Sequence, residues 1–136
     1  MLVESRGNPT VQSPAGARGL MQIMPKTAAE IASVRGLEGH HADRLDDPAY
    51  NLDLGAWYLA RQLERFETQL DDPDEVIAWA AAAYNAGPSR AEAARRGEVD
   101  LDSEALHYQR LVSTLWGERN AETSSLLGRR LHGTQR

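Results

Sequence analysis

Residues 73–86, PDEVIAWAAAAYNA, limit the folds open to this chain more than any other stretch. Asp72-Pro73 is a helix-starting pair, and after it Val76, Ile77, Trp79, Ala80, Ala83 and Tyr84 leave almost no polar face before Gly87. A helix that is apolar nearly all round holds together in water only when other elements cover it. The pattern therefore predicts the central helix of a domain. Gly87 stands where a left-handed residue ends such a helix.

The elements around it read as helices as well. Over residues 48–70, Leu52, Ala56, Leu59, Leu63, Phe66 and Leu70 recur at three- and four-residue steps, which predicts one long helix with a continuous apolar stripe. Gly55 lowers its helix propensity by about 1 kcal/mol relative to alanine, and predicts close approach by another helix. Pro25 suits the first turn of a helix ending near Arg35, with Gly36 as its stop. A short helix follows Pro88 and stops near Gly97. Ser103 is the expected N-cap of a last helix carrying Ala105, Tyr108, Leu111, Val112 and Leu115 on one side.

Residues 5–18 are punctuated by glycine and proline too often for regular structure. Residues 19–23 predict a short helix ended before Pro25, and residues 36–47 a polar loop. From Glu118 onward the periodicity fades, so 118–136 is expected to be a mobile tail or one weak helix. Valine and isoleucine never alternate with polar residues, so no strand is expected. The fold class is thus all-α, with one domain over residues 1–117 and a C-terminal tail over 118–136. A chain of 136 residues is long enough for one such core.

A net charge of -5 argues against a nucleic-acid partner, which would need a basic face. It does not exclude a glycan, which is held by hydrogen bonds and stacking. With no cysteine there is no disulfide frame. No apolar run is long enough for a transmembrane segment, and no leader pattern is present, so an export signal is not expected within this chain. His40-His41 beside Asp43 has the superficial look of a metal site. Adjacent histidines diverge, however, and no further ligand stands at the right spacing, so neither metal nor cofactor is expected.

The chemistry-bearing candidates begin at Glu4, directly after the apolar pair Leu2 and Val3. A carboxyl among apolar neighbours is a poor surface group and a good proton donor, because burial disfavours its ionised form. Read locally, Glu4 could equally be a solvated or capping residue. Its company is more specific. Asn8-Pro9 follows Glu4-Ser5, then Ser13-Pro14-Ala15-Gly16-Ala17-Arg18-Gly19-Leu20-Met21-Gln22, Met24-Pro25 and Thr27-Ala28. Later come Ala83-Tyr84-Asn85-Ala86-Gly87, and Glu104 with Tyr108.

In order and spacing these motifs resemble the signature of the soluble lytic transglycosylase family, whose domain belongs with goose-type lysozyme in the lysozyme-like group. The resemblance covers about residues 1–117. It implies a helical domain whose substrate cleft lies between the Glu4 segment and the helices carrying Tyr84 and Tyr108. It also implies action on peptidoglycan glycan strands in the cell envelope, periplasmic or extracellular. In the family the glutamate is general acid and then base, so Glu4 takes that role. The residues corresponding to Ser13, Gln22 and Met24 line the cleft near the reacting sugar. Tyr84 is expected to point at the acid and the substrate, and Asn85 to hold the site together. Glu104 is expected to bind substrate or brace the cleft, and Tyr108 to hydrogen-bond near the acid.

The chain departs from the family pattern in two places. Only Met1, Leu2 and Val3 precede Glu4 where the family has a full helix, so the first helix is expected to be truncated. Ala105 stands where threonine is usual.

Each candidate also has a structural reading: a turn for Ser13, core for Met24, a helix stop for Asn85. Asp43, Asp46, Asp47, Asp53 and Glu64 read as caps and solvated surface. One of them lining the cleft as a second carboxylate would make the chain a lysozyme-type hydrolase. A non-catalytic peptidoglycan-binding module is the alternative from another class. Trp57, Tyr58, Trp79 and Trp116 fit either sugar stacking or core.

Overall fold

The computed structural model describes residues 2–121, so most of the expected tail, 122–136, lies outside the described residues. Six α-helices follow in order: α1 (Leu2–Ser5), α2 (Pro25–Arg35), α3 (Pro48–Glu67), α4 (Pro73–Ala86), α5 (Pro88–Arg95) and α6 (Ser103–Gly117). A 3-10 helix, Ala42–Asp46, lies between α2 and α3. No strand occurs among the described residues, only the isolated bridges Gln12 to Arg18 and Arg18 to Ile23. The chain divides into two compact units at Arg61 and Gln62, and α3 runs through the division.

In the first unit, Ile23, Ala28, Ile31, Leu45, Tyr50 and Leu54 form the core, with Met21, Leu37, Trp57 and Tyr58 packed against it. Helix α2 starts at Pro25 as its sequence dictates and ends at Gly36, whose φ of 63° lets its N–H return to the helix's last carbonyls. The expected polar loop before α3 instead winds into the 3-10 helix. Buried Leu45 anchors that helix, and the His41 ring accepts the Asp43 N–H at its start. Asp47 then caps α3, its Oδ1 accepting the Ala49 N–H at 3.0 Å.

Residues 19–23 do not form the expected helix. Arg18 and Ile23 exchange backbone hydrogen bonds at 3.0 and 3.1 Å, closing a tight turn. Within it Gly19 and Gln22 take φ of 79° and 48°, left-handed values that no α-helix can include.

Helix α3 forms, and the second half of its predicted stripe is inside: Phe66 is buried, and Leu63 and Leu70 pack against the second core. The first half is not, for Leu52 is 38% exposed and Ala56 is exposed, whereas Tyr50, Asn51, Leu54 and Gly55 are buried. There the buried face lies one residue earlier, where the Asn51 amide finds hydrogen-bond partners. The neighbour at Gly55 is not a helix either. It is the Met21 side chain, whose Cβ and Cγ lie 2.6 Å from where a Cβ on Gly55 would stand.

The second unit is built as its sequence predicts. Helix α4 packs against α5 and α6. The core consists of Phe66, Val76, Ala80, Ala82, Ala83, Ala91, Leu101 and Ala105, with Leu63, Leu70, Trp79, Ala86 and Ala94 around it. Five of its eight buried residues are alanines, so the core is built of small side chains and is sensitive to their enlargement. Asp72 caps α4 as expected, accepting the Asp74 N–H at 2.9 Å. At α6 the cap is Asp102 rather than Ser103. Its carboxylate accepts the Ala105 N–H at 2.8 Å and suits the positive end of the helix.

Candidate active site

Glu4 lies in the four-residue helix α1 and is half-buried. The chain stops that helix sharply: Arg6 and Gly7 both take left-handed backbone, with φ of 54° and 83°. Buried Ser5 secures the reversal, its carbonyl accepting the Asn8 N–H at 3.1 Å and its hydroxyl the Gly7 N–H at 3.2 Å. Asn8 continues the turn, its side chain accepting the Thr10 N–H at 3.0 Å. The Glu-Ser-x-x-Asn-Pro spacing is thus a local device that fixes the backbone immediately after the acid.

Ser13 closes the next loop. Its hydroxyl accepts the Ala17 N–H at 3.0 Å, and its own N–H reaches the Ala17 carbonyl at 2.8 Å. The turn-forming role anticipated for it is present. Gln22 folds back on its own segment, its amide donating to the Val11 carbonyl at 3.1 Å and the Gly19 carbonyl at 2.9 Å. Both amide hydrogens are used in this way. Met24 is 40% exposed at the N-cap of α2, an apolar side chain presented outward rather than used as core.

Arg18 ties this segment to the 3-10 helix, donating to Asp46 at 2.8 Å and to Asp43 at 3.2 Å. Those hydrogen bonds, to Asp46 first, hold its guanidinium above the usual arginine pKa. Two of the acids considered as a second carboxylate are therefore ion-paired. Asp47 caps α3, and Asp53 pairs with Arg35 at 2.9 Å. Among the described acids of the first unit, only Glu4 and Asp46 are half-buried, and Asp46 is held by Arg18. The histidines are also accounted for separately: His40 Nδ1 lies 2.6 Å from the Tyr50 hydroxyl with the rings stacked, and His41 serves the 3-10 helix.

The second unit holds the other four candidates. Tyr84 is buried near the end of α4, and its ring lies parallel to that of Tyr108 on α6, 6.4 Å between centroids and 10° between planes. Asn85 and Glu104 are exposed, Glu104 one turn before Tyr108 on α6. The Ala-Tyr-Asn-Ala-Gly and Glu-x-x-x-Tyr motifs, twenty residues apart in the chain, thus meet through their tyrosines. Of the tryptophans and tyrosines considered for stacking, Trp57 and Tyr58 pack on the first core and Trp79 on the second. The guanidinium groups of Arg35 and Arg61 lie 5.8 and 5.2 Å from the Trp57 ring.

Two residues that hold this site together have no place among the motif residues singled out for the site. Arg18 lies inside a motif but acts through aspartates 25 and 28 positions away. Asn51 is a polar residue on the buried face of α3, as is Gln62, and no local signal marks it out.

Residues 1–106 match the model of the Transglycosylase SLT domain, and the chain belongs to that family. It is similar to the 70 kDa soluble lytic transglycosylase of Escherichia coli, whose crystal structure superposes with a TM-score of 0.68 at 30% identity over 90% of this chain. The all-α, lysozyme-like class expected for the chain is borne out by that likeness. Among curated proteins it is 40% identical over 88 residues to the soluble lytic murein transglycosylase of Escherichia coli strain K12. It is 41% identical over 90 residues to the membrane-bound lytic murein transglycosylase C of Haemophilus ducreyi. These alignments span 64% of this chain but only 13% and 24% of the two relatives, and the superposition covers 21% of the solved chain. No helix among the described residues is long and apolar enough to cross a membrane.

Proposed function

We propose that this chain is the catalytic module of a lytic transglycosylase that cleaves the β-1,4 bond between N-acetylmuramic acid and N-acetylglucosamine in murein, in the cell envelope, without consuming water. Glu4 is the acid. It donates its proton to the bridging oxygen as the bond to the anomeric carbon breaks. The 2-acetamido carbonyl oxygen of the same sugar attacks that carbon and forms an oxazolinium ion. The Glu4 carboxylate then takes the proton of the 6-hydroxyl, whose oxygen closes onto the anomeric carbon and reopens the oxazolinium ring. The product is a 1,6-anhydro sugar, and Glu4 ends protonated as it began.

One observation carries the single-acid reading: beside Glu4, the other half-buried acid described in the first unit is tied up by Arg18. A hydrolase of the ordinary kind needs a second carboxylate to activate water or attack the sugar. The remaining candidates of that unit are engaged as caps or in ion pairs. Ser13, Gln22 and Met24 in the first unit, and Tyr84, Asn85, Glu104 and Tyr108 in the second, are assigned to substrate by their match to the family's motifs. The names of the relatives, which specify murein, support the substrate.

Mass spectrometry of digested sacculi tests the reading. Anhydro-muropeptides are expected from the parent protein and none from Glu4→Gln. A product heavier by one water points to a hydrolase, and binding of sacculi with no released product points to a non-catalytic module.

A further inference from the structure

We propose that Asn51, outside every motif of the site, is the positioning residue for the glycan-holding edge formed by Gln22 and Met24. The inference rests on the proposed function for the identity of the ligand, but its geometry stands independently.

Asn51 is fully buried in α3, and its amide meets three backbone groups. Oδ1 accepts the Met21 N–H at 2.8 Å, and Nδ2 donates to the Arg18 and Leu45 carbonyls, both at 2.9 Å. Partner chemistry fixes the orientation, because a flipped amide would set its oxygen against two carbonyl oxygens. The turn is shaped to admit this side chain. A Cβ on Gly19 would collide with the Asn51 amide and the Leu45 carbonyl. One helical turn later, Gly55 leaves the space that the Met21 side chain fills. Asn51 and Gly55 thus hold Met21 by its backbone and its side chain.

Gln22 is the next residue and sits at φ 48°, a conformation a glutamine keeps only when its surroundings enforce it. Met24 follows Ile23, whose backbone pairs with the same Arg18 whose carbonyl accepts from Asn51 Nδ2. Asn51 therefore acts at the start of the Arg18-to-Ile23 turn and in its middle, at Met21. A leucine would fill the volume but leave the Met21 N–H and the Leu45 carbonyl without this partner, and the Arg18 carbonyl with the Ile23 N–H alone.

Asn51→Asp keeps the shape and the acceptor for Met21 but sets an oxygen against the Arg18 and Leu45 carbonyls. Two readouts test the proposal. Amide hydrogen exchange needs no substrate, and is expected to quicken at Met21, Gln22 and Ile23 while α4 is unchanged. On soluble murein glycan strands, KM is expected to rise about tenfold with kcat altered less than about threefold, the split expected when groups that hold substrate, rather than the acid, are displaced. Should the aspartate variant fail to fold, Asn51→Ser, which keeps one acceptor and one donor, is expected to show the same split at smaller size.

Unchanged exchange at Met21 overturns the proposal. So does a fall in kcat at constant KM, which would mark Asn51 as a fold residue that merely lowers the active fraction. If the parent protein releases no anhydro product, the proposed function fails instead, and the exchange measurement still decides whether Asn51 governs the turn.

Discussion

The two units of this chain are held by different physics. In the first, a modest apolar core supports a segment with little regular structure of its own, residues 5–24, and specific polar bonds define its course. Ser5, Asn8, Ser13, Gln22 and Asn51 each bond the main chain, and Arg18 spans to two aspartates. In the second, α4 lies among α5 and α6 through a core rich in alanine. The first depends on directional bonds, for which one wrong atom matters. The second depends on volume, for which one extra carbon matters. Loops are where catalytic groups are commonly carried, and here side-chain hydrogen bonds join the packing of Leu20, Met21 and Ile23 in setting the loop's course.

The contrast can be broken or sharpened by substitution. The largest effect is expected at Glu4→Gln: loss of a general acid is expected to lower turnover by about 10²–10⁴-fold with the melting temperature unchanged, read by anhydro-product release and by calorimetry. A fall in both together would mean that Glu4 is part of the frame rather than the chemistry. Next, Ala82→Leu in the second unit is expected to destabilise by about 1–3 kcal/mol in denaturant unfolding, because a fully buried core position would have to take in the added atoms. The corresponding enlargement Val34→Leu, at a position 68% exposed, should stay within about 0.5 kcal/mol.

Another small effect is expected at the half-exposed surface of the second unit. A hydrogen bond from Arg65, at 2.9 Å, holds the Glu92 carboxyl below its ordinary pKa of 4.5. A depressed carboxylate contributes stability that is present above the unfolded value and lost as pH falls through the folded one. Glu92→Gln should therefore lower stability by no more than about 1 kcal/mol at neutral pH. Parent and variant should converge in acid, below the ordinary carboxylate range.

What could be read from the residues follows the same division. Helices α2, α4 and α5 were legible because proline starts them and glycine or a capping aspartate marks their limits within a few positions of the chain. The near-continuous apolar face of α4 announced a covered helix, and α4 is one. The failures lie where the deciding partner is distant in sequence. The run Gly19-Leu20-Met21-Gln22-Ile23 has helical composition, and only the pairing of Arg18 with Ile23 and the burial of Asn51, thirty residues on, make it a turn. The stripe on α3 was placed by hydrophobicity alone, so it chose Leu52 over the asparagine beside it. At α6, Ser103 and Asp102 were both chemically able to cap, and the carboxylate took the position. In the candidate site, residue order was enough to nominate Glu4, Tyr84 and Tyr108. No local rule could indicate that Gln22 would fold back to Val11, or which aspartates Arg18 would occupy.

Two of the three methionines of this chain, Met21 and Met24, flank the left-handed glutamine, and Met24 is the more accessible with 40% of its surface exposed. Peroxide would convert such a thioether to a polar sulfoxide, turning an exposed apolar side chain into a hydrated one. Under the proposed function, that oxidation would loosen the hold on the glycan and spare the cut itself, and a sulfoxide reductase would be enough to bring the hold back.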